Sequence, residues 1–190
     1  MEWIIALLVL AADQLSKVYA AQVLSKGALV LIPGVLELTY LKNTGAAWGM
    51  FQGARIPFIL LTVAFLALCL FFYGKKRGNL TKLSRIILFL IVSGALGNLI
   101  DRMFLGYVRD MIYFSLIDFP VFNVADSAIV IGAILLVLET LFTKNGLLEV
   151  LEKTLEKKPK VKAENASAPS DTKGETQSDA DDSSEAPHAP

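Results

Sequence analysis

Asn98, Asp101 and Arg102 sit at i, i+3 and i+4 in SGALGNLIDRMF, and Asn123 and Asp126 stand three apart in FNVADS, ahead of an almost wholly apolar run. Asp110 and Asp118 lie between the two groups. Spacings of three and four share one helix face, so these side chains can converge at one depth. Carboxylates crowded in a place of low dielectric cannot all ionise, and a pair comes to share a proton. Such a pair can accept a proton from water with one oxygen and donate one to a leaving group with another. The chain's only histidine is His188 in an acidic tail, and its only cysteine, Cys69, lies in an apolar run. That removes Ser–His and Cys–His nucleophile systems and any histidine-based metal site from the apolar part of the chain, and it leaves the redox compartment undetermined. A Ser–Lys dyad is the rival, since Ser16, Ser93 and Ser127 lie in or near the apolar runs with Lys17. Ser16 diverges from Lys17 on a helix, and the other two read as packing or first-turn serines, so the carboxylate pair is preferred.

Each polar residue also has a plainer reading. Asn123 and Asp126 could cap a helix, typically worth about 1 kcal/mol; Asn123 alone could cap, so Asp126 exceeds what a cap needs. Asp13 and Lys17 are spaced i,i+4 inside an apolar run. A charge at a span's centre costs roughly 2.5–3.5 kcal/mol, so the two are read as an ion pair tying the first helix to its neighbours, with Lys17 near enough to the helix end to support a site there. Asp101 is expected to pair with another helix rather than with Arg102. Strand alternation puts Arg109 and Asp110 on opposite faces, Asp110 inward and Arg109 outward. Asp118 precedes Phe-Pro and reads as a turn acid; residue types alone leave Asp110 and Asp118 both open as the partner of Asp126.

The elements that must position these residues are membrane spans. Of 190 residues, 54% are hydrophobic, and apolar runs at about 3–23, 56–73, 84–104 and 123–143 each approach the ~20 residues that cross a bilayer core. Ser93, Gly94, Ala95 and Gly97 permit close helix approach. The short loop GKKRGNLTKLSR and the segment after the fourth run are basic, which predicts cytoplasmic termini and outward-facing loops at 24–55 and 105–122. LELTYL and YVRDMIYF are β-prone and predict a small sheet on the outer membrane face. The first run lacks a basic n-region and a cleavage site, so it is expected to stay in the mature protein. Residues 147–157, LLEVLEKTLEK, place Leu147, Leu148, Leu151 and Leu155 on one stripe, either as an interfacial helix with Lys toward anionic headgroups or as a soluble extension of the fourth helix. A net charge of zero hides an asymmetry: residues 1–163 carry 17 Lys/Arg against 11 Asp/Glu, and residues 164–190 carry one Lys against seven acids. That tail has the composition of a disordered segment.

In order along the chain, DQLSK at 13–17, NTGAAWGMF at 43–51, GALGNLIDR at 94–102, YVRDMI around Asp110 and FPVFNVADS at 119–127 resemble the motifs of lipoprotein signal peptidase, or signal peptidase II. The resemblance covers roughly residues 10–135. It implies an all-α membrane protein: a four-transmembrane-helix bundle with a small extracytoplasmic β-sheet cradle, a short helix on that side and, in this chain, a disordered C-terminal tail. The domains would be a peptidase domain at 1–146, a cytoplasmic interfacial helix at 147–160 and the tail at 161–190. The implied activity is that of an aspartic endopeptidase of the bacterial cytoplasmic membrane, cleaving prolipoproteins just before a diacylglyceryl-modified cysteine. Carried over by motif, Asp110 and Asp126 are the catalytic pair. Asn43, Gly45, Asn98, Arg102 and Asn123 bind substrate or support the pair, and Asp13, Lys17 and Asp101 are structural. The resemblance implies no metal or cofactor, no nucleic-acid partner, membrane lipids as surroundings and a monomer. Trp48 departs from the Phe common in the family, and the acidic tail has no counterpart in its core. The readings from other classes are a transporter or channel subunit using Asp13, Lys17, Asp101 and Arg102 as a relay, and a structural assembly factor. The relay reading does not explain acids gathered beside a β-prone loop, and the assembly-factor reading would leave the polar faces as partner contacts.

Overall fold

The computed structural model describes residues 2–45, 50–143 and 146–156. Trp48, the basic run from 157 to 162 and the acidic tail lie outside the described residues. Among the described residues, four helices are long and apolar enough to cross a membrane: α1 (Glu2–Gln22), α2 (Arg55–Lys76), α3 (Lys82–Phe104) and α4 (Val124–Phe142). In α1 the polar and apolar faces are inverted relative to a helix of a soluble bundle. α1 buries Asp13, Lys17 and Ala20 while Trp3, Ile4, Leu7, Leu8 and Leu15 are exposed. A helix surrounded by hydrocarbon must turn its ionisable groups inward, because only there do they find partners.

α3 is the central helix and packs against α4, α1 and α2. Its small residues allow this. A Cβ on Gly97 would strike the Asp13 carboxylate, so the missing side chain lets α1 close on α3. Asp13 then reaches α4, where its Oδ1 accepts the Ala125 amide at 2.9 Å.

The loops between spans contribute an antiparallel sheet in the order β1 (Leu29–Ile32), β2 (Leu36–Asn43), β3 (Val108–Tyr113). β2 and β3 pair Leu41 with Asp110 and Asn43 with Val108, after a register shift between Leu38 and Leu41. Because β2 follows α1 and β3 follows α3, this pairing gathers both loops at one end of the bundle. On the other edge of β3, Met111 N and Ile112 N donate to Phe122 O at 2.9 and 2.8 Å. That contact brings the entrance of α4 beside the strand. Among the described residues, the helical pieces at this end are single 3-10 turns at Leu24–Lys26 and Ser115–Ile117.

The opposite end holds a polar cluster that the sequence reading overlooked. Glu139, 1% exposed in α4, accepts from Thr81 Oγ1 at 2.8 Å, Ser84 Oγ at 2.6 Å and Leu147 N at 3.0 Å. Thr81 is the N-cap of α3, and Leu147 begins α5 (Leu147–Glu156). One carboxylate therefore joins the ends of three helices. The chain is extended at Thr143, so α5 is a separate helix rather than a continuation of α4. Leu147 and Val150 pack into the apolar cluster with Cys69, Tyr73, Ile87 and Phe89, while Leu148, Leu151 and Leu155 stay exposed. The expected leucine stripe is thus divided, with Leu147 taken by the bundle. Glu149, Glu152, Lys153 and Glu156 lie among the described residues of α5, and Lys157 of the expected lysine face lies outside them.

Candidate active site

The start of α4 sets the geometry. Asn123 is its N-cap: its side-chain oxygen accepts the Asp126 amide at 2.9 Å, and Asp126 Oδ2 accepts the Asn123 amide at 3.2 Å. This is a reciprocal capping box. Asp126 is therefore not surplus to the cap, as its position suggested; it supplies the second half, because the third helical residue is where a side chain reaches back to the cap amide. Only one oxygen is used in this way. The other, Oδ1, accepts Asn98 Nδ2 from α3 at 2.7 Å.

Asp110 arrives from β3, 1% exposed. Its Oδ1 accepts Asn123 Nδ2 at 2.6 Å, and its Oδ2 accepts Asn43 Nδ2 from β2 at 2.9 Å. Asn123 Nδ2 also lies 3.1 Å from Asn98 Oδ1, which accepts Lys17 Nζ at 2.9 Å. Asn98 and Asn123 thus form an amide bridge with one carboxylate on each side. Every oxygen of the two carboxylates holds one N–H donor, and each retains a second acceptor position for a proton or a water. Burial pushes the Asp110 carboxyl up from 3.8 to about 6, with the Asp126 charge adding to the rise; hydrogen bonds from Asn43 and Asn123 and the Lys17 ammonium pull the other way.

The site opens into a cavity of about 490 Å³, whose lining includes Asn43, Asn98, Arg102, Asp110 and Asp126, with Phe119, Val130 and Ile131 on the apolar side. Arg102 donates from Nη2 to Gly45 O at 3.2 Å and lies 5.0 Å from the Phe58 ring centroid. Gly45 N donates to Asn43 Oδ1 at 3.0 Å. A Cβ on Gly45 would meet Met50 O, so a side chain there would push apart the turn that seats Asn43. Arg55 donates to the carbonyls of Arg102 and Met103, both at 2.8 Å, and closes the end of α3.

Asp13, Lys17 and Asp101 are fully buried behind this lining. Lys17 Nζ lies 2.9 Å from Asp13 Oδ2 and 3.8 Å from Asp101 Oδ2. Ser16, Ser93 and Ser127 donate to the carbonyls of Asp13, Leu90 and Asn123, so the Ser–Lys alternative has no hydroxyl on the Lys17 amine. Asp118 occupies an exposed left-handed turn at φ 47° and accepts Tyr113 Oη at 2.7 Å. The turn reading of Asp118 holds, and it is Asp110 that meets Asp126 across the amide bridge. Burial, then the contact with Tyr107, pushes Tyr40 up to about 12.

Arg109 departs from expectation. It does not point outward: Nη2 lies 2.7 Å from Asp101 Oδ1 and Nε 3.1 Å from Oδ2. Alternation does set it opposite Asp110, but that face of β3 rests on the helix ends rather than on water. Asp101 accordingly finds its closest partner on a strand. Gln14, which accepts Arg109 Nη2 at 3.1 Å, was also missed; its signal was its place on the polar face of DQLSK, three residues before Lys17.

A family model described as signal peptidase (SPase) II matches residues 5–142. The chain is 45% identical over 133 residues to a lipoprotein signal peptidase of Latilactobacillus sakei subsp. sakei (strain 23K), covering 69% of this chain and 87% of that protein. It is 42% identical over 142 residues to that of Lactobacillus johnsonii, covering 73% and 90%, and 41% identical over 133 residues to that of Streptococcus pyogenes serotype M5, covering 70% and 87%. Among solved structures, a bacterial membrane enzyme determined by the in meso method at 2.3 Å matches with TM-score 0.67 and 32% identity over 84% of this chain and 92% of that one.

Proposed function

The chain belongs to the signal peptidase II family of prolipoprotein-processing membrane peptidases, and we propose that it removes signal peptides from diacylglyceryl-modified prolipoproteins with Asp110 and Asp126 as its acid–base pair. The observation that carries this reading is the amide bridge. Asn123 donates to Asp110, and Asn98, which Asn123 contacts, donates to Asp126, so two carboxylates from different elements are held at one cavity.

The signal helix enters laterally, and the lipidated cysteine lies at the outer interface with its acyl chains still in the bilayer. A water held between the carboxylates loses a proton to one of them as its oxygen attacks the scissile carbonyl just before that cysteine. The other carboxyl protonates the departing amide nitrogen. The C–N bond breaks, and the pair ends with its single proton exchanged from one side to the other. Asn43, Asn98 and Asn123 hold the carboxylates in place through the attack. Arg102 lines the same cavity, where its charge can meet a substrate carbonyl. The chemistry asks for no metal. The enzyme works in the bacterial cytoplasmic membrane as a monomer, with cytoplasmic termini, the site at the outer face and α5 along the inner interface.

The test uses the purified chain in detergent with a diacylglyceryl-modified prolipoprotein peptide. Cleavage just before the modified cysteine, unchanged by a chelator, is expected. Asp110→Asn and Asp126→Asn should each reduce it by at least the ~10²–10⁴-fold carried by positioned acid–base groups, with membrane insertion intact. Full activity in either variant would sink the two-aspartate mechanism.

A further inference from the structure

β3 is held on one edge by β2, yet at Arg109 its other edge has no strand among the described residues. The Asp101 carboxylate takes that place. Its Oδ2 accepts the Arg109 backbone amide at 2.9 Å, and the Arg109 side chain folds back onto both oxygens of the same carboxylate, at 3.1 and 2.7 Å. Asp101 stands near the end of α3, where its own carbonyl accepts the amides of Leu105 and Gly106, so the clasp spans the turn from α3 into β3. The remaining Arg109 contact, to Gln14 Oε1 at 3.1 Å, extends it to α1. Gln14 in turn donates to Asp13 Oδ2 at 2.9 Å and Gly97 O at 3.2 Å. Three elements therefore meet at one guanidinium, whose planar fork fits a carboxylate in a single geometry. Its side chain lies on the face of β3 opposite Asp110.

We propose that Arg109 is a positioning residue for the cleavage reaction: its clasp on Asp101 and Gln14 fixes β3 so that Asp110 stands at the amide bridge with Asp126. The proposal rests on the two-aspartate reading. Arg109 has no hydrogen bond to Asp110, and its charge is answered by Asp101, so it acts through strand placement. Asn43 and Asn123 orient the Asp110 carboxylate once it has arrived, but both contacts need β3 at its present height. A displacement of about 1 Å in such a site costs on the order of 100-fold in rate. The buried cluster is also balanced in charge, with Asp13 and Asp101 against Lys17 and Arg109, so losing Arg109 has an electrostatic consequence that a test must separate from placement.

The experiment measures kcat, KM and the thermal unfolding midpoint for the full chain in detergent with a diacylglyceryl-modified prolipoprotein peptide. Arg109→Met should lower kcat by about 100-fold while KM changes by no more than about two-fold, because substrate contacts are untouched. Arg109→Lys, which can reach one Asp101 oxygen but not both, should recover part of kcat. The double variant Asp101→Asn with Arg109→Met restores charge balance without the fork; its unfolding midpoint should return toward the parent value while kcat stays low. Parent-like kcat in Arg109→Met, or a double variant that regains kcat together with stability, would overturn the positioning role. Asp110→Asn is assayed alongside. If it is inactive while Arg109→Met is fully active, the positioning role fails alone; if it is itself fully active, the two-aspartate reading has failed.

Discussion

Asn123 caps α4 with its side-chain oxygen and donates to Asp110 with its side-chain nitrogen. The two duties can be separated by substitution. Asn123→Asp keeps a capping oxygen but sets a third buried carboxylate against Asp110 in place of its donor, so cleavage should fall sharply, and the stability lost at neutral pH should return as the pH falls and the added carboxyl takes up a proton. Asn123→Ala should lose both, with a stability cost of about 1 kcal/mol. Cleavage rates and unfolding midpoints for the pair decide it: equal activity in Asn123→Asp and the parent would remove the donor role. The pH dependence of cleavage belongs to the same scale. An Asp110 carboxyl raised to about 6 keeps its proton above the ordinary carboxyl range. A pair that needs one shared proton should therefore lose kcat/KM as pH rises through about 6, not through about 4, with the apparent value belonging to the pair. Asn43→Ala removes a hydrogen bond that favours the ionised form, so the remaining activity should show that limb at higher pH. A limb that stays in place or moves down would contradict this electrostatic account.

At the scale of elements, the fold joins two polar clusters through one apolar bundle. The far cluster around Glu139 ties the N-cap of α3, the last turns of α4 and the first amide of α5. Glu139→Gln keeps one acceptor but presents an NH₂ group to either the hydroxyls or the Leu147 amide. A buried donor left without a partner costs about 1–3 kcal/mol. The unfolding midpoint should drop accordingly, while cleavage measured well below that midpoint stays close to the parent value. Loss of cleavage at unchanged stability would mean that the two ends of the bundle are coupled in function. Gly97 ties elements at the other end. Gly97→Ala places a methyl against the Asp13 carboxylate, which should weaken both the α1–α3 contact and the Asp13 bond to the Ala125 amide. Lower stability and slower cleavage are expected together, and a fully stable, fully active Gly97→Ala would show that the approach has slack.

For the molecule as a whole, the spans were legible because hydrocarbon demands about 20 apolar residues per crossing, and β2 and β3 because alternation and β-prone residues mark strands. The polar residues could be placed on faces but not assigned partners. Alternation set Arg109 opposite Asp110, yet only the tertiary arrangement tells that this face meets Asp101 rather than water. Asp126 looked surplus to a cap because a capping box is a contact between side chain and backbone amide, which spacing alone does not reveal. Residue types leave Asp110 and Asp118 alike, whereas in the fold β3 carries Asp110 to the amide bridge and Asp118 sits in an exposed turn. Glu139 stood in plain view as a lone acid in an apolar run, a feature whose insertion cost asks for partners. The claim on which the rest depends is that Asp110 and Asp126 act as one unit through a shared proton. It is tested most directly by kcat/KM for Asp110→Asn, Asp126→Asn and the double variant against the parent. Groups acting as a unit are non-additive, so each single loss should nearly equal the double loss. Single losses whose product gives the double loss, or one variant that keeps parent activity, would contradict the account.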